Sequence, residues 1–193
     1  MCVSEDKIPA QVSRVLNLIP ESFIYALLIL HNRLEANDIE WALGGDFAEA
    51  LKVVKVNPAD FEIVTSKENA ERIFDAVEEF KPEAMGVKIQ QLPRNAVIGG
   101  EEYPIYIRSY FFSFFVGGIA VRVHGDLQYR INGWDYGDKL EFAPEYVFLM
   151  DKKIALVPLS LKYEIYQRLG WADRLDKIKQ ALEKAKCRPL GED

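Results

Sequence analysis

Of 193 residues only two are cysteine, Cys2 and Cys187, and only two are histidine, His31 and His124. The cysteines lie near opposite ends of the chain, and neither belongs to a CxxC or a mixed Cys/His cluster. This scarcity argues against a zinc site and indicates no disulfide framework, although the sequence leaves an end-to-end bridge open. A dominant charge is missing too: 24 lysines and arginines stand against 30 acids, mixed along the chain, for a net charge of −6. Such a balance gives no broad electrostatic footprint for duplex nucleic acid or an anionic membrane, though it is compatible with a small basic cleft. The longest apolar run near the start, Phe23 to Leu30, is far too short to span a bilayer. No basic region followed by an apolar core opens the sequence, so the expectation is a cytoplasmic protein with no secretory signal. Internal repeats and low-complexity segments are absent.

What the chain does have is apolar and aromatic mass, 49% hydrophobic residues with 11 Phe, 9 Tyr and 3 Trp, enough for a substantial core. The length suits one domain, or a core of residues 1–158 with a helical segment over 159–193 packed on it. Apolar residues at Val12, Val15, Leu16 and Ile19 predict a first helix, stopped near Pro20. A second helix is expected from Glu21 to about Glu35, then a short strand from Ile39 to Leu43. Phe47, Ala48 and Leu51 fit a short helix, and Phe61 to Thr65 a strand. Ser66 is a good N-cap for an amphipathic helix through Ala70, Ile73, Phe74 and Val77, closed by Lys81-Pro82.

From Met85 the signals turn to strands: Val87–Ile89, Tyr103–Tyr110, Phe111–Val116 and Ile119–Ile131. Gly99-Gly100, Gly117-Gly118 and Asn132-Gly133 mark turns. Tyr146 to Val157 suggests a hairpin. Leu159 to about Lys186 reads as a long helix that Gly170 kinks or splits.

The chemistry concentrates in Trp41–Thr65. A strand ending in Gly44-Gly45 at a helix start lets a ligand approach the backbone and presents amide hydrogens and a positive dipole end to an anion. The simpler account is a tight turn, and Asp46 would serve as a cap that opposes an anion. Asp60 and Glu62, two apart on the next strand, point to the same face. Two such carboxylates can hold Mg²⁺ together with substrate phosphates, or they can simply face solvent on an edge strand.

The combination Leu43-Gly44-Gly45, fourteen residues, then Asp60-Phe61-Glu62-Ile63 resembles the signature of the nucleotidyltransferase fold superfamily, most closely its minimal, antibiotic-modifying and antitoxin-like branches. The resemblance extends over the order of elements to about residue 131. It implies an α/β (α+β) fold, a mixed sheet flanked by helices with a C-terminal helical segment. It further implies that Gly44 and Gly45 contact the phosphates of a nucleoside triphosphate. Asp60 and Glu62 would be catalytic acids holding Mg²⁺, with a third acid on a later strand. The activity implied is transfer of a nucleoside monophosphate from Mg-NTP to an unknown acceptor hydroxyl.

The later strand, GIAVRVHGDLQYRI, departs from that pattern. Ala120, Arg122 and His124 share a face, and the family's acid is expected near Arg122, which cannot bind a cation. Either Asp126 replaces it, if no bulge at Gly125 changes the parity, or an ion pair from Arg122 stands where metal would be. The second case describes a catalytically degenerate relative, a binding, regulatory or antitoxin-like oligomeric module. Lys55, before the acidic strand, and Lys162, at the start of the C-terminal helix, are further phosphate-binding candidates. For both, and for His31 and His124, a structural or surface role is the simpler account. The FFSFFV run implies burial on both faces and, with it, a homo-oligomer contact.

Overall fold

The computed structural model describes residues 19–52, 54–131 and 136–186. The helix expected from Gln11, save Ile19, lies outside the described residues, as do the Asn132-Gly133 turn and both cysteines.

Helix α1, Glu21–Glu35, carries its apolar residues at helical spacing and buries Phe23, Ile24, Leu27, Leu30 and Leu34. Strand β1 is only Ala42–Leu43, shorter than the expected Ile39–Leu43. Within the expected span, Thr65 Oγ1 donates to the Glu40 carbonyl, so a side chain takes an acceptor a ladder would use. Helix α2, Gly45–Leu51, leads through a loop to β2, Asp60–Thr65. Helix α3, Lys67–Ala76, starts where Ser66 Oγ accepts from the Asn69 amide at 3.1 Å, the expected cap. It stops at Val77, and a 3₁₀ turn over Glu78–Phe80 reaches Lys81 in the left-handed conformation.

Strand β3 spans Gly86–Gln91. A small separate hairpin, β4 Ala96–Ile98 and β5 Glu101–Tyr103, turns through Gly99-Gly100. The two strands expected over 103–116 are instead β5 and one long strand, β6, Ile105–Val116. Strand β7, Ile119–Ile131, returns alongside it, and β8 Glu145–Leu149 with β9 Lys152–Leu156 forms the expected hairpin. Gly170, left-handed at φ 68°, splits the C-terminal helix into α4, Leu159–Leu169, and α5, Ala172–Lys186.

Among the described residues seven strands form one mixed sheet in the order β3-β6-β7-β2-β1-β9-β8. Strand β2 lies between β7, its parallel neighbour, and β1, antiparallel to it. On one face α1 and α2 cover the sheet, with Phe23, Phe47 and Phe61 in mutual ring contact; the Phe47–Phe61 centroids are 4.7 Å apart. On the other face Ala42, Val64, Leu127 and Val157 are covered by Leu140 and Phe142 before β8 and by Leu161 of α4. In the FFSFFV run Phe111, Phe112 and Phe114 are buried, but Phe115 is 63% exposed, so burial on both faces holds only in part. None of the described helices is long and apolar enough to cross a membrane.

Candidate functional site

Alternation along β2 buries Phe61 and Ile63 under the helices and leaves Asp60 and Glu62 on the opposite face. The parallel register sets Asp60 beside Ala120, Glu62 beside Arg122 and Val64 beside His124. From that position the Arg122 guanidinium reaches Asp60 Oδ2 at 3.1 Å, with the arginine half exposed and Asp60 19% exposed.

Glu62 is held differently. Its carbonyl accepts from the Gly44 amide at 2.7 Å, and its side chain crosses over Gly45. A Cβ on Gly45 would fall 2.8 Å from Glu62 Cδ and Oε2, and Gly45 is also left-handed at φ 55°. Glycine is therefore required there twice over, by backbone angle and by the approach of the carboxylate. Burial pushes the Glu62 carboxyl above its ordinary range; Lys162 and Arg122 pull it back, and Asp60 adds to the upward push.

Behind the glycine pair lies a buried polar network. The fully buried Glu49 of α2 accepts from Lys162 Nζ at 3.2 Å, from the Tyr166 hydroxyl at 2.5 Å and from Arg174 at 3.3 Å. Lys162 Nζ also donates to the Gly45 carbonyl. Arg174 forms a two-pronged pair with Asp46, at 2.8 and 3.1 Å. Burial draws the Lys162 ammonium below its ordinary range, against the opposing pull of Glu49 and Glu62. Glu49, Tyr166 and Arg174 are absent from the sequence-based candidates. The signal for Glu49 was its place among Phe47, Ala48, Ala50 and Leu51, a short helix apolar on every side. For Tyr166 it was the i, i+4 spacing from Lys162.

The structure brings Gly44, Gly45, Asp60, Glu62 and Lys162 together, and Asp126 stands elsewhere. Lys55 is exposed in the loop before β2. Asp126 sits at a bulge, where Tyr110 pairs with Gly125 but Arg108 with Gln128, and it is itself left-handed at φ 51°. Since Gly125 is level with Thr65, Asp126 lies roughly 20 Å along the strands from Asp60. It accepts from the Lys67 amide at 3.1 Å and pairs with Lys139 at 2.6 Å. Burial presses its carboxyl upward, but the Lys139 and Lys67 hydrogen bonds outweigh this and hold it below its usual range.

His124 is buried with Nδ1 3.0 Å from Ser109 Oγ, and burial, with Arg122 and Lys88 adding, lowers its pKa to about 4. His31 is also buried, its Nε2 3.2 Å from the Lys153 carbonyl. Among the described residues no cluster of three His, Cys, Asp or Glu side chains is arranged to hold a metal ion.

The mixed seven-stranded sheet with its flanking helices is a nucleotidyltransferase-like fold. A candidate nucleotidyltransferase from Thermotoga maritima has a similar structure, with a TM-score of 0.61 at 23% sequence identity over 86% of this chain and 96% of that one. The structure of ANT(2″)-Ia in complex with adenylyl-2″-tobramycin gives a TM-score of 0.46 at 9% identity over 84% and 92%. No family model and no curated protein matches the sequence.

Proposed function

We propose that the chain is a catalytically degenerate protein of the nucleotidyltransferase fold, a binding or regulatory module that does not transfer nucleotides. The observation that carries this reading is the Arg122–Asp60 ion pair. Metal-assisted nucleotidyl transfer needs ionised oxygen ligands converging on the cations. Here one of the two paired acids is held by a guanidinium, and the other is pushed towards its neutral form. Asp126, the remaining candidate acid, pairs with Lys139 at the far end of the strand. This donor set does not fit a two-Mg²⁺ centre. The basic groups nearby are also committed, since Lys162 is occupied by Glu49 and the Gly45 carbonyl.

A second reading, transfer of a nucleoside monophosphate from Mg-NTP to an acceptor hydroxyl, is favoured by one observation: Gly44, Gly45, Asp60 and Glu62 do converge. In that reading Asp60 and Glu62 would hold Mg²⁺, and the glycines would face the phosphates. A cytoplasmic setting, a C-terminal segment from residue 159 and self-association belong to the proposal under either reading.

Pyrophosphate release from each of the four NTPs with Mg²⁺ decides between them. The degenerate reading expects no release above the protein-free control. Release that is abolished by Asp60→Asn would establish the transfer reading.

A further inference from the structure

A cavity of about 720 Å³ opens at the far end of β2, lined there by Val64, Thr65 and Ser66 and by none of Gly44, Gly45, Asp60 or Glu62. Its volume is that of a small-molecule site. Trp41, Phe142 and Tyr146 supply aromatic surface, and Ile39, Ala42 and Val64 an apolar floor. Glu35, Asp38, Glu40 and Glu141 stand around it, all exposed. The lysines that line it are both engaged, Lys139 with Asp126 at 2.6 Å and Lys153 over the Tyr146 ring at 4.0 Å.

His31 supplies an independent pointer. It lines the cavity with a side chain only 8% exposed, yet its Nδ1 has no hydrogen-bond partner. Its Nε2 faces the Lys153 carbonyl at 3.2 Å, and a carbonyl can only accept, so Nε2 carries a proton and, in the neutral ring, Nδ1 is an acceptor. That acceptor faces another acceptor, Glu35 Oε2, at 3.6 Å, beyond hydrogen-bond range. A buried acceptor without a donor is costly. A ligand N–H placed against Nδ1 would satisfy the imidazole, and its charge would join that of Lys152, whose Nζ already stands 3.6 Å from the same Glu35 oxygen. Lys153 already occupies the Tyr146 ring face, so the aromatic surface open to a ligand cation is that of Trp41 and Phe142.

We propose that this cavity, walled by Trp41, Phe142 and Tyr146 and ringed by carboxylates, binds a small organic cation: an amine or guanidinium on a flat apolar body, its N–H donating to His31 Nδ1 and Glu35. The proposal is independent of the fate of the Asp60–Glu62 site, whose acids lie five and three residues, or roughly 17 and 10 Å, along β2 from Thr65.

Titration of the full chain with phenethylamine, followed by NMR of the His31 and Trp41 ring resonances, tests it. Phenylacetate provides the same ring with the opposite charge. Saturable shifts of both rings with phenethylamine are expected, with phenylacetate at least tenfold weaker. Glu35→Gln, at an exposed position, should weaken phenethylamine about tenfold, and Glu40→Gln should weaken it less. Equal affinity for the two probes, no saturable shift, or indifference to Glu35→Gln would overturn the proposal.

Discussion

Arg122 Nη2 lies 3.1 Å from Asp60 Oδ2, across a parallel strand pair whose register sets Arg122 level with Glu62. One cross-strand residue thus faces both acids of the motif. A half-exposed pair of this kind adds little stability, about 0–1 kcal/mol. Its effect is on what the two carboxylates can bind.

The buried network gives the first prediction. Lys162→Met leaves Glu49 buried with one cation fewer, which should cost about 3–5 kcal/mol of unfolding free energy. Lys55→Met, at an exposed position, should stay within about 0.5 kcal/mol of the parent. Urea denaturation of both variants measures the contrast.

Glu62 gives a prediction of opposite sign. Its folded-state pKa is raised, so the folded protein favours the protonated form, and stability is lost as pH rises through that pKa. Glu62→Gln should therefore raise the melting temperature at pH 7.5. The advantage should shrink as pH falls towards about 4, near the ordinary glutamate value.

His124 titrates the other way. With a folded pKa of about 4, its contribution is complete above the unfolded value near 6.5 and is lost as pH falls between the two. This loss amounts to about 3 kcal/mol, the order of magnitude of that shift. In His124→Gln the part of the acid destabilisation between pH 7 and pH 4 that comes from the histidine should disappear. Denaturant midpoints across this range report it.

Gly45→Ala should destabilise by about 1–3 kcal/mol, because it combines a left-handed backbone with a Cβ driven into the Glu62 carboxyl. Gly45→Ala/Glu62→Ala should recover the steric part and leave the backbone part. A double-mutant cycle on unfolding free energy separates them.

These sites differ in how plainly the sequence announced them. The Gly44-Gly45 and Asp60-x-Glu62 pattern could be read because strand parity and local turns fix it within a few residues. Helix α1 and the Ser66–Asn69 cap were legible for the same reason. The bulge at Asp126 could only be posed as a question, because whether β7 keeps its parity past Gly125 depends on pairing with β6. Hairpin β4–β5 has strands of three residues each, too short for a periodic signal. The Glu49 network joins residues more than a hundred positions apart, and no local spacing encodes such a contact.

In the proposed degenerate site the Arg122–Asp60 pair takes up a carboxylate that a metal would need. Calorimetric titration with each NTP, with and without Mg²⁺, on the parent chain and on Arg122→Asp tests it most directly. No metal-dependent binding is expected from the parent, and its appearance is expected in Arg122→Asp, where three carboxylates would share one face. Mg²⁺-dependent NTP binding by the parent that is lost in Asp60→Asn would contradict the account.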